Sequence, residues 1–460
     1  MNNETDNRQS ISKEELKKIF DSIEDTDVRC SFSDCNFKYN AFNEVDISSF
    51  EKGLFSFSNC IFDCELLYTT NIDYFVNCVF NERVYLHERK SNKNYYFTDC
   101  IFNNMVFIEN QKDFSGDKLF IKCKFPKYIF PRNKDIDVPN INIKNTTFKN
   151  SFELVENEIH HILITDTIFS KPIYIDNKLK INLLRLDNCK LEDGFLINNK
   201  YSNHMFSIKG LSLLGCNING SFIARDCKIE NLNLENSIFN EKIDLVKSSL
   251  NSTNFKNTIF NNVAIFENTT FENDIHFEFT TFGKLASFKN TLFKKTLNLE
   301  DAIITNEMNF FQTNENTINV ANRETARLIK YSFNKIGNTI ESNKYKSLEL
   351  KQYTKYIRKY IWSCEKFMLN LILDGIVMFF HYISSNYSQN WLLPIIWIFS
   401  IGIITSYCIS DINLSNIFKF MYIATSPDDF KDNAILIFFN KVLLGYLYYQ
   451  FLVTIRKDTK

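Results

Sequence analysis

Large apolar residues that step by five and then six positions run through residues 255–304 and limit what this chain can fold into. Phe255-Lys256-Asn257-Thr258-Ile259-Phe260 is followed by Phe266-Glu267-Asn268-Thr269-Thr270-Phe271 and by Phe288-Lys289-Asn290-Thr291-Leu292-Phe293. Phe277 to Phe282 and Leu299 to Ile304 fill the series. An α-helix needs apolar residues about every 3.6 positions and a half-buried strand every second one, so neither explains the spacing. Short straight segments joined by corners do. The unit is about eleven residues, two units make a coil of about 22, and a fixed period of that length marks a solenoid. Each segment sends one large and one small side chain inward, and the next coil stacks the same positions about 4.8 Å away. A single coil cannot bury its own apolar face, so the core exists only by stacking.

Upstream the period persists in looser form, with anchors at Phe32, Phe57, Phe75, Phe97, Phe120, Ile143, Ile164, Leu186, Leu213 and Leu234 leading into Phe255, Phe277 and Leu299. Larger gaps before Phe57 and Leu213 imply insertions at corners, and polar stretches such as His87 to Asn94 and Pro126 to Pro139 are expected to emerge as loops. Cys35, Cys60, Cys78, Cys100, Cys123, Cys189, Cys216 and Cys227 share one slot, two residues before an apolar residue. Thr146, Thr167, Ser237, Ser248, Thr258, Thr269, Thr280 and Thr291 fill the same slot elsewhere. Interchange of Cys with Ser and Thr says that the slot wants a small side chain, so these are expected to be buried, reduced thiols. There is no CxxC pair and no Cys/His zinc spacing. With no secretory signal at the N-terminus, a reducing cytoplasm is the expected setting.

Units such as Cys60-Ile61-Phe62, Cys100-Ile101-Phe102 and Ala302-Ile303-Ile304 resemble the pentapeptide-repeat family over about 60% of the chain. The resemblance implies a mainly β fold, a right-handed quadrilateral β-helix with small and large residues pointing inward. The coil here is about 22 residues instead of twenty. Some soluble members bind topoisomerases by mimicking DNA, which implies a strongly acidic surface. Between Arg29 and Glu315 this chain carries 36 acidic and 32 basic residues, so that mechanism is disfavoured.

Helical signals flank the repeat. Ser12 with Glu15 has capping-box spacing, and Leu16, Ile19, Phe20 and Ile23 form a stripe, so residues 1–28 are expected to be a helix capping the first coil of a solenoid over 29–316. A partner-binding helix is the alternative. After Thr317, Ala326, Ile329, Phe333, Ile336 and Ile340 fall on one helical face, interrupted by Gly337-Asn338. Asn338 with Glu341 then opens a helix carrying Lys344, Lys346, Lys351, Lys355, Arg358 and Lys359. The run Asn322-Arg323-Glu324-Thr325-Ala326-Arg327 is similar to the segment after the repeats in a group of bacterial pentapeptide-repeat membrane proteins. Residues 317–390 read as a basic helical connector. Phe367 to Ile383, apolar but for Asp374, reads as a helix on the membrane surface or packed on a neighbour.

Within 391–460, Leu392 to Ile409 lacks charge, and Trp391 and Trp397 suit an interface, so this stretch is expected to span a membrane. Ala434 to Ile455 is expected to form a second span despite Asn440, Lys441 and Gln450, with Lys441 snorkelling or else pairing with an acid or a subunit contact. Lys355, Arg358, Lys359 and Lys366 precede the first span and Arg456, Lys457 and Lys460 follow the second. Positive-inside logic therefore puts the solenoid and both termini in the cytoplasm, at a bacterial inner membrane. A pair of buried helices in a soluble domain is the alternative.

No phosphate-binding glycine loop, Gly-x-Ser-x-Gly or His-Glu-x-x-His occurs, and His160-His161 in a strand would point to opposite faces. Catalytic, cofactor and metal residues are therefore expected to be absent, and most acidic residues along the repeats are expected at outward slots. The expected function is a non-enzymatic scaffold anchored in the lipid bilayer by its C-terminal helices, with a protein partner on the solenoid surface and no nucleic acid. A pore-forming effector, with the helices assembled as a homo-oligomer, is the alternative. Residues 418–427 contain no Thr-Val-Gly-Tyr-Gly-like filter.

Overall fold

The computed structural model describes residues 9–11, 14–15, 18, 29–37, 54–67, 72–86, 96–109, 120–125, 139–155, 157–176, 178–198, 205–313, 318–363, 369–409, 412–430 and 433–459. The chain divides into two compact units, Met1–Ile318 and Asn319–Lys460.

The first unit is a parallel β-solenoid with three sheets and about 22 residues to the turn. One thirteen-stranded sheet runs from Arg29–Ser33 to Met308–Asn309, and an eight-stranded sheet runs from Thr147–Phe148 to Ile303–Ile304. The third contains the longest strands, Glu158–Thr165, Lys180–Asp187 and Phe206–Leu214. Register places like on like. Phe32, Phe57, Phe75, Phe97 and Phe120 pair in succession across one sheet. Phe37, Phe62, Phe80 and Phe102 do so across another. Their rings form two buried columns, with centroids 4.9 Å apart from Phe62 to Phe80 and 4.8 Å from Phe75 to Phe97. The columns meet edge to face, as in Phe80 against Phe97 at 77°. Offset and edge contacts of this kind stabilise by roughly 0.5–1.5 kcal/mol per pair beyond the area they bury.

The small slot has a second requirement besides size. Thr258 Oγ1 donates to the Leu234 carbonyl at 2.8 Å, Thr280 to Phe255 at 2.7 Å and Ser248 to Ala224 at 2.9 Å. Cys216 Sγ reaches the Leu186 carbonyl at 3.4 Å in the same way. Each bond joins one coil to the coil before it. A hydroxyl or thiol fits because it is both small and a donor. Every described cysteine is free, and those in the slot are buried. Burial, aided by the Asp226 charge, pushes the Cys227 thiol up to about 12.

Immediately before the slot the backbone turns left-handed. Asn59, Asn77, Asp99, Asn188, Asn257 and Asn290 all have φ between 53° and 55°. Asn and Asp tolerate this region best among residues with a Cβ. Asn side chains also bond between coils, Asn103 Nδ2 to Asn81 Oδ1 at 2.7 Å and Asn261 to Asn240 at 2.7 Å. These two uses account for much of the asparagine.

The structure corrects two sequence readings, the coil step from Phe120 to Ile143 and the helical face of Ile336 and Ile340, and adds detail to others. Phe120 stacks on Leu154, not toward Ile143, which pairs with Ile108 and Ile164. Strand Glu158–Thr165 pairs with both Lys124–Phe125 and Ile141–Lys144, so residues 126–139 are inserted within a position that is one strand in the next coil. The insertion makes the 120-to-143 spacing mimic a coil. Asp244 is fully buried, not outward, because Arg225 and Lys242 both bond its carboxylate. Near the N-terminus a strand, Gln9–Ser10, pairs with Cys35–Phe37. The expected capping stripe of Leu16, Ile19, Phe20 and Ile23 lies outside the described residues, as do His87 to Asn94 and residues 126–138. Finally, Ile336 and Ile340 are exposed, because the helix over Ala326, Ile329 and Phe333 ends before Gly337, whose φ is +75°.

The second unit contains six helices among the described residues: α1 (Arg323–Lys335), α2 (Thr339–Ser363), α3 (Leu369–Ser385), α4 (Leu392–Ile409), α5 (Leu414–Met421) and α6 (Ala434–Thr459). Asn322 caps α1 through Thr325 N at 2.8 Å, and Asn338 caps α2 through Glu341 N at 3.1 Å, as the spacing of Asn338 and Glu341 predicts.

Two substitutions test the corner. Phe279 occupies the left-handed position with φ 56° and is more than half exposed, so it bears the strain without burying its ring. Phe279→Asn should stabilise the solenoid by about 1 kcal/mol. Thr280→Val should destabilise it by about 0.5–1.5 kcal/mol by removing the inter-coil bond to the buried Phe255 carbonyl, which keeps only its turn bond from Thr258 N at 3.2 Å, while Thr280→Ser should cost less. Thermal unfolding of the purified full-length protein, followed by its β-sheet circular dichroism, reads both effects.

Candidate functional site: an inverted helical unit

Helix α4 is apolar throughout, and α6 is apolar over Ala434–Arg456; both windows are long enough to cross a membrane. The test against a soluble core is where their apolar side chains point. Only 33% of the α4 window and 22% of the α6 window is buried, whereas a core helix of a soluble protein is mostly buried. Ile403, Ile404 and Tyr407 on α4 and Phe438, Phe439 and Leu452 on α6 are exposed.

The polar side chains of the same helices turn inward. Asn440 is buried and donates to Thr405 Oγ1 at 3.0 Å and to the Phe420 carbonyl at 3.3 Å. Gln450 accepts from Ser385 at 3.0 Å, and Tyr446 meets Ser384 at 3.2 Å, tying α6 to α3. Trp397 Nε1 bonds the Ile383 carbonyl at 3.1 Å, tying α4 to α3. Water-soluble domains put apolar groups inside and polar groups out. Here Asn440, Thr405 and Gln450 are buried beside the apolar residues Ile398, Leu444 and Leu447, while many large apolar side chains of α4 and α6 stay exposed.

Lys441 forms no ion pair within 4 Å among the described residues. Its Nζ donates to the Thr425 carbonyl at 2.9 Å, with the Phe430 ring 5.3 Å away, so it ties α6 to the segment between the two long helices. That segment folds back compactly. Phe420 and Phe430 pack with Ile409, Leu436 and Ile437, and Lys419 pairs with Asp429 at 2.6 Å. Helix α5 lies close on α4 at Gly402, where a Cβ would come within 2.7 Å of Met421 Cγ and 2.8 Å of the Ile417 carbonyl.

At the other end of the unit, α1 and α2 are locked by one carboxylate. Glu349 takes hydrogen bonds from Lys330 at 2.7 Å and Arg327 at 3.1 Å, with Arg323 at 3.7 Å and stacked over the Tyr353 ring. Burial pushes its carboxyl up, but the bonds from Lys330 and Arg327 outweigh burial and hold it below the usual glutamate range. Two members of the run 322–327, Arg323 and Arg327, thus hold the helix pair together. Asp374, the one charge in the apolar stretch of α3, accepts from Tyr353 at 2.7 Å and so helps hold α3 on α2.

His160 and His161 divide as expected, His161 buried and His160 partly exposed. No cluster of His, Cys, Asp or Glu suited to a metal occurs among the described residues. What the sequence did not disclose was the inward face of α6, since Asn440, Gln450 and Thr454 do not share an obvious stripe with the charged ends. Comparisons with protein-family models, with curated proteins and with solved structures gave no match.

Glu349→Gln should cost about 1–3 kcal/mol, less than a fully buried pair because its cations stay partly in water. With its folded pKa lowered, the contribution of Glu349 is complete above the unfolded glutamate value of ~4.3 and fades as pH falls through the folded value. Helical circular dichroism during heating at pH 7 and pH 3 should show a wild-type advantage over Glu349→Gln that is larger at pH 7 than at pH 3.

Proposed function

We propose that this chain is a membrane-anchored β-solenoid that serves as a protein-interaction scaffold, with the lipid bilayer as the environment of its C-terminal helices. The observation that carries the reading is the reversal in the second unit: Asn440, Gln450 and Thr405 inside, and large apolar side chains outside. Apolar surface on this scale is unfavourable in water by roughly 25 cal/mol per Å², whereas against acyl chains it is not. Satisfying the polar groups between helices is likewise what a hydrocarbon environment demands.

In this reading the solenoid is of the pentapeptide-repeat type, a right-handed quadrilateral β-helix. Its support is the recurrence of small and large inward residues two positions apart, as in Cys60 and Phe62 or Thr258 and Phe260. Lys355, Arg358 and Lys359 before the first span and Arg456 and Lys457 after the second favour a cytoplasmic solenoid and cytoplasmic termini at a bacterial inner membrane. The role is non-enzymatic, with the stacked strands offering a repetitive surface to a protein partner. The scaffold is preferred to a pore because the buried Asn440, Gln450 and Lys441 bond within their own chain, which gives them a packing role.

Membrane fractionation with a carbonate wash, combined with protease protection of tags at both ends, tests the anchor. The expected result is retention in the pellet with both tags digested only from the cytoplasmic side. Release into the wash, or a monodisperse protein in the absence of detergent, would sink it.

A further inference from the structure

The groove between α2 and α3 joins two chemistries that the anchor does not require. One wall carries Lys351, Lys355 and Arg358, spaced four and then three residues apart on a single face of α2. The opposite wall is apolar, formed by Ile372, Ile376 and Phe379 at the matching spacing on α3. The space enclosed is about 590 Å³, and no acidic side chain lines it.

Two features make the groove a consequence of the sequence. Gly375 lies between Ile372 and Ile376, and a Cβ there would touch Ile357 Cγ2 at 3.4 Å and Ile361 Cδ1 at 3.8 Å. The missing side chain leaves the floor open while the helices remain close. The three cations are also unspent. No ion pair among the described residues engages Lys351, Lys355 or Arg358, whereas Arg323, Arg327 and Lys330 nearby in sequence converge on Glu349. Three cations along one rim and an apolar wall opposite them want a ligand that is anionic on one side and hydrocarbon on the other.

We propose that this groove binds an anionic glycerophospholipid of the bilayer, its phosphate on the α2 wall and an acyl chain along Ile372, Ile376 and Phe379. The Thr354 hydroxyl, 2.7 Å from the Tyr387 hydroxyl, closes the groove on the side of the α3 C-terminus. Basic side chains near a bilayer attract anionic lipid by amounts that multiply, so neutralising three should weaken binding on the order of a hundredfold. The proposal rests on the membrane reading, and the test separates the two.

The experiment uses the full-length protein in neutral detergent, with phosphatidylglycerol, phosphatidylcholine or inorganic phosphate added. Retained lipid is read by native mass spectrometry and stabilisation by thermal unfolding. Phosphatidylglycerol should be retained and should raise the unfolding temperature, phosphatidylcholine should do neither, and inorganic phosphate should not compete. Lys351→Ser, Lys355→Ser and Arg358→Ser should each weaken retention roughly fivefold and together on the order of a hundredfold. Gly375→Leu, which fills the floor, should abolish it. Equal retention of the two lipids, competition by phosphate alone, or unchanged retention in the single variants would overturn the groove. A protein that stays in carbonate-washed membranes yet shows those results loses only the groove; a protein released from them loses the anchor.

Discussion

The bond from a small buried donor to a carbonyl of the preceding coil is the constraint on which the solenoid depends. Main-chain ladders hold the flat segments together, but each corner leaves carbonyls that the ladder does not reach. Thr258, Thr269, Thr280 and Thr291 supply the donors in the later coils, and Cys60, Cys78, Cys100 and Cys123 supply weaker ones in the earlier coils. The same side chain must be small enough to let the Phe columns stack beside it. Alanine would meet the size requirement but remove the inter-coil bond, a loss of about 0.5–1.5 kcal/mol where the carbonyl keeps a turn bond, as Phe255 does from Thr258 N at 3.2 Å. This explains why three chemically different residues interchange at one position.

The left-handed residue beside the slot completes the corner. It turns the chain at the cost of strain that Asn and Asp bear easily, and a side-chain amide there can bond to its equivalent one coil away, as Asn257 does to Asn236 at 3.1 Å. Phe279 shows the rule by breaking it. Its ring is exposed, and its backbone is no different from that of the asparagines around it. Corner geometry is thus imposed by the neighbouring coils and not by the local residue.

How much of this could be read in the sequence depended on whether the signal was periodic. The Phe steps and the Cys, Ser and Thr slot are periodic, and they predicted a solenoid and buried thiols. The insertion at 126–139 interrupts a strand in mid-course, and a periodic reading passed smoothly across it, from Phe120 on one sheet to Ile143 on another. Asp244 is an exception to the usual outward acidic slot for a related reason. Slot position alone sends an acid outward, but Arg225 and Lys242 arrive from positions that only the folded register brings together. The helices were legible in their capping residues and lengths. The direction in which Asn440, Lys441 and Gln450 point was not, because it is decided by partners on α3, α4 and the intervening segment.

The two units place their polar groups differently. In the solenoid, the buried slot hydroxyls and thiols are matched to carbonyls of the preceding coil, and buried Asp244 is matched to Arg225 and Lys242. In the helical unit Asn440, Gln450 and Thr405 are buried beside apolar clusters, and the exterior of α4 and α6 is mostly large apolar side chains. Helix composition alone cannot tell these cases apart, since a buried soluble helix and a spanning helix can be equally apolar. The distinction lies in the partners of the few polar residues. Asn440 and Gln450 would be liabilities on an exposed face, yet here they join α6 to α4 and to α3. Those bonds show that α6 packs on α3 and α4 partly through its polar residues, while many of its large apolar side chains stay exposed.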